Sequence, residues 1–158
     1  MELNESEGFG MKTVIVSGYF NPLHGGHIDM MEAAAELGDR LIVIVNNDIQ
    51  QVMKKGKVIL DEQNRMRLVE AIGLVDEVVL SKAEEGDQTP KTALEEIALK
   101  YPDDELIFCN GGDRPGGTIP EDEKAMCDKY NIEMVYGVGG DTKADSSTRI
   151  NQALGHDR

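Results

Sequence analysis

The first residues that could do chemistry are a run near the start of the chain, Gly18-Tyr19-Phe20-Asn21-Pro22-Leu23-His24-Gly25-Gly26-His27. This run follows a short β-branched stretch that predicts a strand, and it leads into a stripe of apolar residues with helical period. His24 and His27 are three residues apart, so at the start of a helix they can face the same side. Free N–H groups and the helix dipole favour an anion at that place, and Gly25 and Gly26 let a phosphate approach the backbone. The run therefore predicts a phosphate site with two imidazole donors.

Two other interpretations of the histidines stay open on the local pattern. A histidine at a helix start can be only a cap or a surface residue. The pair could also bind a metal, but Asp29 is the only nearby carboxylate and no further ligand set is evident. We therefore expect no metal ligands among the site residues.

Five short, nearly continuous apolar runs are typical of strands buried on both faces of a parallel sheet. These runs are Thr13–Ser17, Leu41–Val45, Glu77–Leu80, Glu105–Cys109 and Glu133–Tyr136. Between them, helical stripes are predicted at Ile28/Met31/Ala35, at Met66/Val69/Ile72 and at Leu94/Ile97/Ala98/Tyr101, with a more polar helix over Asp122–Tyr130. Strict alternation of strand and helix predicts a single domain of the α/β class with a doubly wound parallel sheet.

Ligands of such open sheets bind beyond the carboxyl ends of the strands. The segments that follow the five predicted strands are Gly18–His27, Asn46–Lys57, Ser81–Thr89, Asn110–Pro120 and Gly137–Ser147. Most of the unusual residues of the chain fall in these segments, so we expect the site there.

The histidine run resembles the HxGH signature of the nucleotidyltransferase superfamily, with His24, Gly26 and His27 as the matching residues. Tyr19 and Asn21 depart from the Thr and Asp that are common at their positions. A second family signature, a hydroxyl run that opens the last helix, appears as Ser146-Ser147-Thr148. Taken alone, that run would more often be an ordinary N-cap.

Other segments match the family in the right order, so that the resemblance covers Met11 to about Ile150. Gly38–Asp48 is similar to the second strand of the sugar-phosphate and glycerol-phosphate members, and Lys54–Lys57 is similar to their basic loop. Gln63-Asn64-Arg65 is similar to their E-x-R helix start but lacks the Glu. Their Gly-Gly-Asp turn is matched by Asn110-Gly111-Gly112-Asp113-Arg114. The arginine that precedes the hydroxyl run in cytidylyltransferases is missing from Asp141–Asp145, which leaves ATP and CTP both open.

The resemblance implies a Rossmann-like sheet of five parallel strands and transfer of AMP or CMP from a nucleoside triphosphate to a phosphorylated small molecule, with Mg2+ as cofactor and pyrophosphate as product. It implies three groups of site residues. The catalytic group is His24, His27 and Lys55. The nucleotide-binding group is Gly18, Tyr19, Phe20, Asn21, Gly26, Asn110, Gly112, Asp113, Ser146, Ser147 and Thr148. The substrate-binding group is Asn46, Lys57 and Arg114, and the choice between Lys55 and Lys57 as the catalytic lysine stays open.

Three alternatives compete with a sugar- or polyol-phosphate acceptor. A cofactor adenylyltransferase would use a mononucleotide, a flavin phosphate or phosphopantetheine. A non-catalytic module would only bind the nucleotide. An oxidoreductase is disfavoured because Gly137-Val138-Gly139-Gly140 lies late in the chain and no GxGxxG opens the first helix.

Composition limits the other partners. The chain has 158 residues and a formal charge of -14, from 30 acidic and 16 basic residues, which disfavours nucleic acid and anionic membranes. We expect residues 1–10 to be a disordered acidic extension before a domain at 11–158, and the protein to be cytoplasmic. Cys109 closes an apolar run and is expected to be a buried, reduced thiol. A homodimer is compatible with the resemblance but does not follow from the sequence.

Overall fold

The structure is a computed structural model, and it describes residues 10–20, 23–49, 52, 60–81, 90–111 and 121–138. Within these ranges five strands alternate with four helices whose bounds the structure gives, and Asp48, Ile49 and Val52 after the second strand are helical as well. The strands are β1 Lys12–Gly18, β2 Arg40–Val45, β3 Glu77–Leu80, β4 Glu105–Gly111 and β5 Glu133–Val138. The helices are α1 Gly25–Ala35, α2 Glu62–Glu70, α3 Lys91–Lys100 and α4 Glu121–Lys129.

All neighbouring strands pair in parallel, and their order across the sheet is β3-β2-β1-β4-β5. The chain moves from β1 outward to β3 and then crosses to the other side of β1 to form β4. The direction of winding therefore changes between β1 and β4, which is where open α/β sheets form a crevice for ligands. This arrangement confirms the predicted five-stranded, doubly wound α/β fold.

Each face of the sheet carries its own apolar core. One face packs Val14, Val16, Leu41, Val43 and Val45 against α1 and α2. The other face packs Ile15, Ile42, Ile44 and Phe108 against α3 and α4. Alternate residues of one strand thus enter opposite cores, which explains why the strands are continuous apolar runs rather than alternating ones.

The structure changes several of the predicted bounds. Ala34 is the fully buried alanine of α1, and the predicted Ala35 packs, partly buried, against the same core. Ile72 and Tyr101 pack against the two cores from positions just beyond the ends of α2 and α3. Both β4 and β5 run longer than predicted, because Gly111 still pairs with Val138 across an irregular rung. Asn110 therefore belongs to β4 instead of the loop after it.

Three aspartates link neighbouring strands at the end of the sheet where the parallel strands begin, called the amino edge below. Asp39 precedes β2 and accepts the N–H of Lys12 at 3.1 Å, while Asp76 precedes β3 and accepts the N–H of Leu41 at 2.9 Å. Asp104 precedes β4 and accepts the N–H of Met11 at 3.0 Å. These carboxylates satisfy donors at the end of a neighbouring strand, so part of the acidic excess has a structural use.

The predicted disordered extension at residues 1–10 lies outside the described residues, apart from Gly10. No helix within the described ranges is long and apolar enough to cross a lipid bilayer.

Candidate active site

The carboxyl end of β1 turns sharply, and this turn supports the histidines. Phe20 has a φ of 53°, an unusual value for a bulky residue, and its ring is buried. The ring lies back over Gly18, where an added Cβ would come within 2.8 Å of the Phe20 Cζ atom. A side chain at position 18 would therefore clash with this ring, so the turn requires glycine here.

His24 and His27 hold the start of α1 through their Nδ1 atoms. His24 is the N-cap, and its Nδ1 accepts the backbone N–H of Gly26 at 3.0 Å. His27 sits three residues later, and its Nδ1 accepts the backbone N–H of His24 at 3.2 Å. The two imidazoles thus form a reciprocal capping box, a role more often filled by Ser or Thr with Glu or Gln.

These hydrogen bonds determine which ring nitrogen carries the proton. A ring nitrogen that accepts an N–H does not carry a hydrogen itself, so these bonds assign the hydrogen of each imidazole to Nε2. Both Nε2 atoms are then hydrogen-bond donors at the positive end of the helix. The structure places both imidazoles at the start of α1, and their role as donors to a phosphate stays a prediction.

The two rings are also fixed relative to each other. Their centroids lie 3.8 Å apart with 29° between the planes, so they are stacked. The buried ring of Phe20 meets His27 edge-on at 4.8 Å. Donors held in this way can stabilise negative charge on a phosphoryl oxygen without rearranging during the reaction.

The end of β2 adds buried polar groups to the same edge of the sheet. Asn47 donates from Nδ2 to the carbonyl of Ser81 at 3.1 Å and so links the ends of β2 and β3. Asn46 is only 4% exposed, and among the described residues its Oδ1 has no hydrogen-bond partner. A buried amide oxygen without a partner is costly, so this atom is suited to accept a hydrogen bond from a ligand.

Arg65 is the residue that sequence reasoning missed as a member of the site. It lies on α2, is fully buried, and donates to the carbonyls of Tyr19 and Asn46 and to the carboxylate of Asp48. A signal for this was present in the sequence. Arg65 lies four and seven residues before Val69 and Ile72, so it belongs to their apolar stripe, where a charged residue must be paired.

The structure brings together the predicted site residues that follow β1 and β2. Seven of them lie at the end of the sheet where the parallel strands stop, called the carboxyl edge below: Gly18, Tyr19, Phe20, His24, Gly26, His27 and Asn46. Asn110 lies near the end of the adjacent strand β4. The other predicted site residues are outside the described ranges, and their roles stay predictions. They are Asn21, Lys55, Lys57, Gly112, Asp113, Arg114, Ser146, Ser147 and Thr148.

The described residues contain no group of three or more His, Cys, Asp or Glu side chains placed to hold a metal ion. Mg2+ is commonly bound by one or two carboxylates together with substrate phosphates. Mg2+ as a cofactor stays a prediction.

Comparison with known proteins places the chain in one family. The chain matches the family model described as cytidylyltransferase-like over residues 15–156. The bifunctional protein HldE of Azorhizobium caulinodans is 33% identical over an alignment of 114 residues that covers 66% of this chain and 24% of that protein. The FAD synthase of Ferroglobus placidus is 43% identical over 75 residues, which are 48% of this chain and 49% of that protein.

A solved structure agrees in fold. The lipopolysaccharide core biosynthesis protein from Thermoplasma volcanium has a TM-score of 0.59 and 28% identity, with 86% of this chain and 100% of that chain covered. The chain spans 24% of the HldE relative and 49% of the FAD synthase, so those whole proteins are longer than the shared region. Because the family model spans both the HxGH run and the hydroxyl run, the chain belongs to the cytidylyltransferase-like family of nucleotidyltransferases.

Proposed function

We propose that this chain transfers AMP or CMP from ATP or CTP to a phosphorylated small molecule, a sugar- or polyol-phosphate, and releases pyrophosphate. The observation that carries the proposal is the pair of stacked imidazoles at the start of α1, each held by a hydrogen bond between its Nδ1 and the backbone. Membership in the family supports the reaction class.

The reaction needs no covalent intermediate and no general base. A phosphate oxygen of the acceptor is already a nucleophile near neutral pH, and it attacks the α-phosphorus in line while pyrophosphate leaves on the opposite side. Catalysis then depends on positioning and on neutralising charge. The two Nε2–H groups donate to the oxygens on which negative charge grows. Mg2+ bound to the triphosphate would neutralise part of the phosphate charge.

The remaining roles complete the proposed site. Lys55 or Lys57 pairs with a phosphate of the triphosphate or the acceptor, and Ser147 and Thr148 hold the β- or γ-phosphate. The planar guanidinium of Arg114 donates hydrogen bonds to the phosphate of the acceptor. The buried Oδ1 of Asn46 has no hydrogen-bond partner among the described residues, so it accepts a hydrogen bond from the phosphorylated substrate.

A second acceptor class is favoured by one comparison. The similarity to the FAD synthase of Ferroglobus placidus, at 43% identity over about half of each chain, supports a flavin phosphate as the acceptor of AMP. A cofactor adenylyltransferase would use the same two imidazoles.

A pyrophosphate-release screen tests the proposal and separates the acceptors. The chain is incubated with Mg2+, ATP or CTP, and in turn glycerol 3-phosphate, heptose phosphates, a flavin phosphate, nicotinate mononucleotide and phosphopantetheine, with products identified by mass. We expect turnover with one acceptor class and one triphosphate. His27→Asn should lower kcat by about 100-fold or more, because Asn can keep the backbone hydrogen bond but lacks the distal donor.

Two outcomes would contradict the proposal. Tight ATP or CTP binding with no pyrophosphate release on any acceptor would indicate a non-catalytic nucleotide-binding module. Near-normal pyrophosphate release by His27→Asn would remove the imidazole from the mechanism.

A further inference from the structure

Arg65 is a fully buried guanidinium in the first turn of α2. Its Nε donates to the carbonyl of Leu60 at 2.8 Å, and its NH2 donates to Asp48 Oδ1 at 2.6 Å. Its NH1 donates twice, to the carbonyl of Tyr19 at 2.7 Å and to the carbonyl of Asn46 at 2.6 Å. Four hydrogen bonds therefore join one side chain to three separate segments of backbone.

The two bonds from NH1 continue the β1–β2 ladder beyond its last backbone rung. That rung is the hydrogen bond from the N–H of Asn46 to the carbonyl of Gly18 at 2.9 Å. The next carbonyls on the two strands belong to Tyr19 and Asn46, and both bind the same guanidinium nitrogen. Arg65 thereby sets the spacing between the turn that leads to the histidines and the end of β2.

Helix α2 also holds the segment after β2 at a second point. Glu62 accepts the backbone N–H of Asp48 at 2.8 Å, next to the ion pair between Asp48 and Arg65. The Asp48 side chain is 35% exposed, whereas that of Arg65 is 0% exposed. Both anchors on α2 thus act on the segment that begins with Asn46.

A buried charge of this kind is a poor way to gain stability alone. Desolvation of the guanidinium offsets much of the gain from its ion pair, and well-packed apolar residues often stabilise a core equally well. A guanidinium does offer several donors in one rigid plane, which an apolar side chain or a lysine cannot. The arrangement is therefore suited to fixing the relative position of backbone segments.

We infer that Arg65 is a positioning residue, which sets the imidazoles of His24 and His27 against the end of β2 so that nucleotide and acceptor meet in line. The inference rests on the proposed function for its effect on turnover, but not for its effect on the position of the imidazoles. Small errors in such alignment cost about 100-fold in rate.

The test compares Arg65→Lys with Arg67→Lys, the same change two residues later at an exposed position of α2. With the acceptor found by the screen, Arg65→Lys should lower kcat by about 100-fold. The KM for the triphosphate should stay within about threefold, because the nucleotide is held mainly by other residues. Arg67→Lys should leave both constants unchanged. Both measurements are made well below the unfolding temperature of each variant.

A second readout works without turnover. The chain has three histidines, so the ring signals of His24 and His27 can be followed by NMR in each variant. Arg65→Lys should shift both signals and Arg67→Lys should not. If the parent chain has no turnover but the signals move as expected, the proposed function fails while the positioning role stands. A variant Arg65→Lys that only unfolds at a lower temperature, with kcat and the ring signals unchanged, would overturn the inference.

Discussion

At the scale of single residues, the two histidines divide their work between their two nitrogens. The Nδ1 atoms satisfy backbone donors at the start of α1, and the Nε2–H groups are the donors proposed for the phosphate. A helix cap made of imidazole is uncommon, because Ser, Thr, Asp and Asn perform that task with a shorter side chain. The structural and the chemical use of each ring can therefore be separated by substitution.

Replacement of His24 by Asn or by Ala makes this separation measurable. Asparagine places an amide oxygen where Nδ1 lies, and it is among the strongest N-cap residues. We expect His24→Asn to keep its free energy of unfolding within about 0.5 kcal/mol of the parent, and His24→Ala to lose about 1 kcal/mol. Both variants should lose about 100-fold or more in kcat, because both lack the Nε2 donor.

Chemical denaturation and steady-state kinetics check the two halves of this prediction. The parent chain and His24→Asn are the matched pair, since they share the cap and differ in the distal donor. A variant His24→Asn that retains most of the parent's activity would assign His24 to the cap alone.

At the scale of the elements, the two edges of the sheet have different tasks. The two imidazoles, Asn46 and the carbonyls bound by Arg65 lie at the carboxyl edge. At the amino edge, Asp39, Asp76 and Asp104 each bind the backbone of a neighbouring strand. Changes at the amino edge should therefore alter stability and leave the chemistry intact.

Asp104 provides the clearest test of this division. Its side chain is 6% exposed, and it accepts both the N–H of Met11 and the hydroxyl of Thr13, the latter at 2.6 Å. Asp104→Ala leaves these two donors without their carboxylate, so the free energy of unfolding should fall by about 2 kcal/mol. Turnover measured at low temperature should not change.

Asp103→Ala is the control, because it removes the same charge from an exposed neighbour. Its free energy of unfolding should stay within about 0.5 kcal/mol of the parent. Equal losses in the two variants would mean that charge, and not the hydrogen bonds of Asp104, supports this edge.

The strands were predictable from sequence because the sheet is buried on both faces. Residues such as Ile15 and Val16 enter opposite cores, so each strand is a continuous apolar run that differs from a helical stripe. The strand ends were less predictable. Whether β4 stops at Cys109 or continues through Gly111 depends on the length of its neighbour β5, which is a tertiary property.

The site was predictable where one local segment carries it. His24 and His27 form their capping box within four residues, and the spacing alone places them on one side of a helix start. Arg65 was missed because its acceptors are distant in sequence, with Tyr19 46 residues away and Asn46 19 residues away. Its place on the apolar stripe of α2 signalled burial but could not identify the partners.

At the scale of the whole molecule, two thiols report on the two cores independently. Cys109 lies in the core with α1 and α2, and Cys127 lies in the core with α3 and α4. Burial raises the pKa of Cys109 to about 11, with a contribution from the charge of Glu133. Burial likewise raises the pKa of Cys127 to about 12, with contributions from Glu123 and Asp128.

We expect neither thiol of the native chain to react readily with a disulfide reagent at about pH 8, because only the thiolate attacks and both groups are buried. Under denaturing guanidinium, both should react.

The same pKa values make stability fall as the pH rises above the ordinary thiol value of 9.0, since the unfolded chain releases protons that the folded chain still holds. A double variant, Cys109→Ala with Cys127→Ala, should show a weaker alkaline decline than the parent, whatever its absolute stability. The comparison isolates the thiols because Lys100, whose pKa is raised mainly by its hydrogen bond to Glu77, is common to both chains. Rapid labelling of the native chain, or equal alkaline declines for parent and double variant, would contradict the burial of these thiols and with it the two-core arrangement on which the site rests.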